Sequence, residues 1–112
     1  MTLHNRNFLA ETVAKHRRTA VLCVLYDLSS RFANLPIIQD IVQEKGFGCA
    51  HEELRQDFIF LKEQGLVELD EMDGLWIIRL IIEGVEVIEG RRACEGILRR
   101  PESDVYRLKG RQ

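Results

Sequence analysis

The side chains best able to do chemistry fall in two clusters. Cys49 and His51 stand two positions apart, a spacing at which a thiolate and an imidazole could share a metal ion, and Glu52 and Glu53 follow directly. A second cluster holds Glu68, Asp70, Glu71 and Asp73. Tetrahedral zinc needs four ligands, and only Cys49 and His51 are local, with His4 and His16 remote in sequence. Cys23, Cys49 and Cys94 are separated by 26 and 45 residues, so no CxxC pair exists for a zinc ribbon or a thioredoxin-type site. There is no Gly-rich phosphate loop, no HExxH and no GxSxG. The carboxylates read as solvated surface and helix-start charges, not as an acid–base pair. No catalytic residue, no metal and no cofactor is expected, and the thiols read as reduced cysteines of a cytoplasmic protein.

The remaining chemistry is charge. The 112 residues carry a net charge of -2, but the charge is segregated. Residues 1–18 hold four basic side chains against one acidic, residues 19–90 five against 14, and residues 91–112 seven against three. Two basic ends flank an acidic middle. Such ends could neutralise phosphates, or they could meet the acidic body of the same chain or of a second copy. With 46% hydrophobic and 30% charged residues, the composition is that of one core-forming domain. The apolar run Ala20–Tyr26 after Lys15-His16-Arg17-Arg18 resembles a signal peptide. It is short, ends at Asp27 and lacks a cleavage motif, so a buried helix is the better reading, and no membrane span is expected.

Periodicity supplies the elements. Residues 7–16 and 19–32 read as two helices, the second with a broad apolar face of Val21, Leu22, Leu25, Leu28 and Phe32. Pro36 suits a helix first turn, and Ile37, Ile38, Ile41 and Val42 form a stripe that Gly46 ends. A further helix runs from His51 to about Gln64 with Leu54, Phe58 and Leu61 inward, and Gly65 as its stop. Leu66–Asp70 and Leu75–Ile81 read as strands joined by Glu71-Met72-Asp73-Gly74, and a last helix passes through Val85, Val87 and Ile88.

Short helices joined by a Gly-containing turn and followed by a hairpin have the layout of a winged helix-turn-helix. Leu54–Val67 resembles the end of the recognition helix and the start of the wing in ArsR- and MarR-like winged-helix regulators. Arg79-Leu80-Ile81-Ile82-Glu83-Gly84 resembles their exit from the wing, usually Leu-Thr-x-x-Gly, with Ile81 where a capping threonine is expected. Gly90-Arg91-Arg92 and Gly96–Pro101 resemble small winged-helix proteins of Mu-like prophages. The expected fold is α+β, mainly α: an N-terminal amphipathic helix or arm over 1–16, a winged helix-turn-helix over 17–90 and a basic tail over 91–112.

The resemblance implies a double-stranded-DNA-binding transcriptional regulator. His51, Glu52, Arg55, Gln56 and Ile59 would face the major groove, Gly74 at the wing tip the minor groove, and Arg17 and Arg18 the phosphates. Phe8, Leu9, Val13, Val85 and Ile88 on the flanking helices would form a homodimer interface. One feature opposes DNA: residues 49–65 hold Arg55 and Lys62 against Glu52, Glu53, Asp57 and Glu63, and the wing tip is wholly acidic. The alternative is a winged-helix module for protein interaction or assembly.

Overall fold

The computed structural model describes residues 3–98, with the backbone alone for residues 3–6. The basic tail expected from Arg99 onward lies outside the described residues.

Four helices and a three-stranded antiparallel sheet make an α+β fold that is mainly α. Helix α1 spans Leu3–Asp27, α2 Leu35–Glu44, α3 His51–Glu63 and α4 Ile82–Ile88; the strands are β1 Phe32–Asn34, β2 Val67–Met72 and β3 Leu75–Leu80. The two helices expected over 7–16 and 19–32 are one. Lys15-His16-Arg17-Arg18 contains no Gly or Pro, so nothing breaks the backbone hydrogen-bond ladder at the expected boundary. The helix also ends earlier than expected. After Asp27 the chain turns at Ser29 and Ser30, with Arg31 at φ 64. Phe32–Asn34, expected partly as helix, then pairs with β3: Phe32 lies opposite Arg79 and Asn34 opposite Ile77.

Local chemistry sets the other ends. The Asn34 side chain caps α2 by accepting from the Ile37 N–H at 2.9 Å, and Pro36 occupies the first turn. The N-terminus of α3 is held by Glu53, whose Oε1 accepts from the Ala50 N–H at 2.9 Å. Asp73 and Gly74 have φ of 54 and 79, the two positive values that a two-residue hairpin turn requires. Ile81 precedes α4 without a side-chain cap, in line with the missing threonine. Gly84, the glycine of the same stretch, is close-packed: a Cβ there would collide with the Leu66 carbonyl and the Leu80 side chain.

Six successive α1 residues, Ala20 to Leu25, have no exposed surface, so this half of the helix is packed on every side. Leu54, Phe58 and Leu61 of α3, Ile38 and Val42 of α2, and Ile78 and Leu80 of β3 complete the core. Val87 and Ile88 are buried there too, as is Ile97 beyond α4. Ile41 and Leu28 border the core and are half-buried. No helix among the described residues is long and apolar enough to cross a membrane.

Candidate functional site

The surface singled out by the sequence is built from α3 and the β2–β3 hairpin. The stripe Leu54, Phe58 and Leu61 fixes the rotation of α3, so His51, Glu52, Glu53, Gln56, Lys62 and Glu63 face outward. Gln56 Nε2 donates to Glu52 Oε2 at 3.3 Å, one turn back. His51 Nδ1 lies 3.2 Å from Gln39 Oε1, and Gln39 Nε2 donates to the Cys49 carbonyl at 3.1 Å, which ties α2 to the start of α3. On the hairpin, Glu68, Asp70, Glu71 and Asp73 are all exposed, and so is Gly74 at the tip. The face thus presents seven exposed carboxylates, from Glu52 to Asp73. Against them stand Lys62 and Arg79, with Arg79 3.9 Å from Glu68.

Arg55 and Ile59 do not project outward as expected. Arg55 is half-buried and stacks on Trp76 of β3, 4.6 Å from its ring centroid. Its Nε–H is buried and donates to no partner among the described residues. Ile59 is half-buried and lines a groove between α3 and the hairpin, with Leu69 and Trp76 beside it and Lys62, Glu63, Asp70 and Glu71 at its rim.

Arg17 and Arg18, expected to meet phosphates, are engaged within the fold. Arg17 is only 7% exposed, and its Nε and Nη2 donate to the two carboxylate oxygens of Asp57. Arg18 lies over the Phe60 ring at 3.9 Å, donates from Nη1 to Glu11 at 3.0 Å and to the Gly96 carbonyl at 3.3 Å, and reaches Asp57 at 3.8 Å. Neither guanidinium is turned to solvent: Arg17 pairs with the buried Asp57 carboxylate, and Arg18 is held over Phe60 by Glu11 and the Gly96 carbonyl. Burial pushes the Asp57 carboxyl above its ordinary value, while Arg17 and then Arg18 pull it back. Burial opposes the charge on Arg17 too, but its hydrogen bond to Asp57 leaves its pKa raised.

Asp57 was the residue that sequence reasoning missed, counted only as a charge on α3. Its position carried the signal. Leu54, Asp57, Phe58 and Leu61 fall at i, i+3, i+4 and i+7, so Asp57 belongs to the buried face and calls for a cation.

The expected dimer residues separate. Phe8, Leu9 and Val13 are 67%, 61% and 55% exposed on the half of α1 that leaves the core. Ile88 is 7% exposed and Val85 is half-buried against the core, so α4 packs onto its own domain. Cys49 is half-buried, and burial raises its thiol above the usual range against the pull of Arg17. Among the described residues no three His, Cys, Asp or Glu side chains converge on a possible metal position.

No family model and no solved structure matches the chain. It is 30% identical over 89 residues to the uncharacterized protein gp26 of Escherichia phage Mu, an alignment covering 80% of this chain and 92% of the phage protein. At that identity and coverage, the chain belongs to the family of this phage Mu protein.

Proposed function

We propose that the chain is a phage-encoded winged-helix module whose α3–hairpin face binds protein and not double-stranded DNA. In this reading α2 and α3 are the helix-turn-helix pair, β2 and β3 are the wing, and the second half of α1 is the central helix. The observation that carries it is the charge of the face: seven exposed carboxylates stand against two exposed cations, Lys62 and Arg79. Affinity for DNA comes largely from neutralising phosphates, and at physiological salt charges are screened only beyond about 8 Å, so carboxylates at the point of contact still repel phosphates. Of the cations that could have compensated, Arg17 is paired with Asp57 and Arg18 is held by Glu11 and the Gly96 carbonyl near Asp57, while the basic tail from Arg99 onward lies outside the described residues. Exposed apolar side chains favour the same reading. Phe32, Ile37, Met72 and Leu75 are each 38% to 60% exposed near the outer face of the sheet and the hairpin tip. The kinship with a phage Mu protein supports a phage origin.

The exposed half of α1 is the surface for a second copy. Three exposed apolar residues per copy fall well short of the roughly 1,200 Å² of a standard interface, so the pair is weak and concentration-dependent.

Fluorescence anisotropy with a mixed-sequence duplex at low salt tests the main reading. Arg55→Ala with Gln56→Ala removes the two groups best suited to base edges. The expected result is an affinity for DNA, if measurable at all, that this double substitution leaves unchanged. A loss of about tenfold or more in a folded double variant overturns the proposal in favour of recognition by α3.

A further inference from the structure

The groove between α3 and the hairpin has an apolar floor: Ile59 of α3, Leu69 of β2 and Trp76 of β3, each half-buried. Its volume is about 360 Å³, near the low end of the roughly 300–1,000 Å³ that ligand pockets span. That size suits a few side chains and not a folded surface. The rim has the opposite character. Glu63, Asp70 and Glu71 border the floor together with Lys62, and all four are exposed. Glu52, Gln56, Ile59 and Glu63 fall at i, i+4, i+7 and i+11, so the face of α3 that supplies the isoleucine carries a carboxylate on either side of it.

The walls are held by the fold itself. Arg55 lies on the Trp76 ring at 4.6 Å and bridges α3 to β3. Gly65, at φ 77, turns the chain from α3 into β2, and the Leu66 N–H donates to the Leu61 carbonyl at 3.1 Å. A groove formed in advance spares its ligand the cost of ordering it.

An apolar floor inside an acidic rim selects by chemistry. Large apolar side chains leave water on Ile59, Leu69 and Trp76, while neighbouring cations reach Glu63, Asp70 and Glu71. Lysine and arginine serve both parts, since their stems pack on apolar surface and their heads stay at the rim. The same carboxylates repel phosphate, which points away from nucleic acid and anionic lipid. Given the protein-binding reading of this face, we propose that the groove seats a segment of a partner protein in which one or two large apolar side chains are flanked by lysine or arginine.

The test reads anisotropy of three short fluorescein-labelled peptides of equal length with the full chain. One has leucine anchors among lysines, the second has the same leucines among glutamates, and the third has the lysines with serine in place of leucine. The expected result is that the leucine–lysine peptide binds, weakening from low to physiological salt, and that the other two bind about tenfold or more weaker. A similar loss is expected with Glu63→Lys plus Glu71→Lys, and with Leu69→Ser, each checked for an intact unfolding transition. Asp40→Lys plus Glu44→Lys makes the same charge change on the exposed side of α2 and should alter binding less than twofold. Equal losses from the α2 and groove pairs would mean attraction to net charge alone and overturn the proposal. Full affinity in Leu69→Ser, or equal binding of the three peptides, overturns it too. A groove already filled by the basic C-terminal residues of the same chain or of a second copy would leave the leucine–lysine peptide unbound, and absence of binding likewise overturns it. The duplex experiment decides independently whether the face binds protein or DNA.

Discussion

The two halves of α1 share one unbroken backbone and have opposite surroundings. From Thr19 to Leu25 every residue is fully buried; at Phe8, Leu9 and Val13 more than half of each side chain meets solvent. Charge separates them only in part: Thr19–Leu25 carries no charged side chain, yet Arg17 and Arg18 just before it are drawn inward while Phe8 and Leu9 stay exposed. Arg17 and Arg18 sit at the junction, where the helix enters the core and meets Asp57. The fate of a side chain here follows from which element packs over it, not from its own type. An arginine expected to reach a phosphate becomes a counter-ion, and a leucine of the same helix stays in water.

The junction should be the most sensitive place. Asp57→Ala leaves the Arg17 guanidinium buried without its carboxylate and should cost about 3–5 kcal/mol in denaturant unfolding. Replacing both partners, Arg17→Met with Asp57→Leu, should recover most of that loss, because the unpaired charge goes with the pair. A double variant no more stable than Asp57→Ala would mean that packing, not charge, holds this site.

Truncations along α1 sharpen the contrast. Leu22→Ala in the buried half should cost about 2–5 kcal/mol, since the surrounding core relaxes only in part around the lost volume. Leu9→Ser in the exposed half should change stability by no more than about 0.5 kcal/mol while weakening self-association in sedimentation. Equal costs in the two positions would show that the exposed half is covered in solution.

The smallest effect is on thiol chemistry. Burial raises the Cys94 thiol, with Glu95 adding to it, and raises the Cys49 thiol. A raised thiol holds less thiolate at a given pH. Both should therefore react with a thiol reagent at pH 8 more slowly than free cysteine and accelerate as the pH climbs above 9. Cys23, fully buried in the second half of α1, should react only as the domain unfolds.

Much of the fold was legible because its signals are local. The stripe of α3, Pro36 after Asn34, and Asp73-Gly74 between two β-branched runs each act within a few residues. β1 was not legible. Phe32–Asn34 is a strand only because β3 offers it a hydrogen-bonding edge, a partner more than 40 positions away. The site divided in the same way. Glu52, Gln56 and Gly74 are exposed as their positions in helix and turn imply. Arg55 turned inward because Trp76 presents a ring face to it across the hairpin.

By itself the sequence determined the order of the elements, the segregation of charge and the acidity of α3 and the hairpin, since capping, turn geometry and helical period depend on neighbours along the chain. Only the tertiary structure decided that Arg17 and Arg18 meet Asp57, that Ile88 packs into its own core, and that Phe32–Asn34 joins the sheet. These depend on which surfaces meet. A buried charge must find its partner across the fold, and no local pattern says which of several cations will reach it.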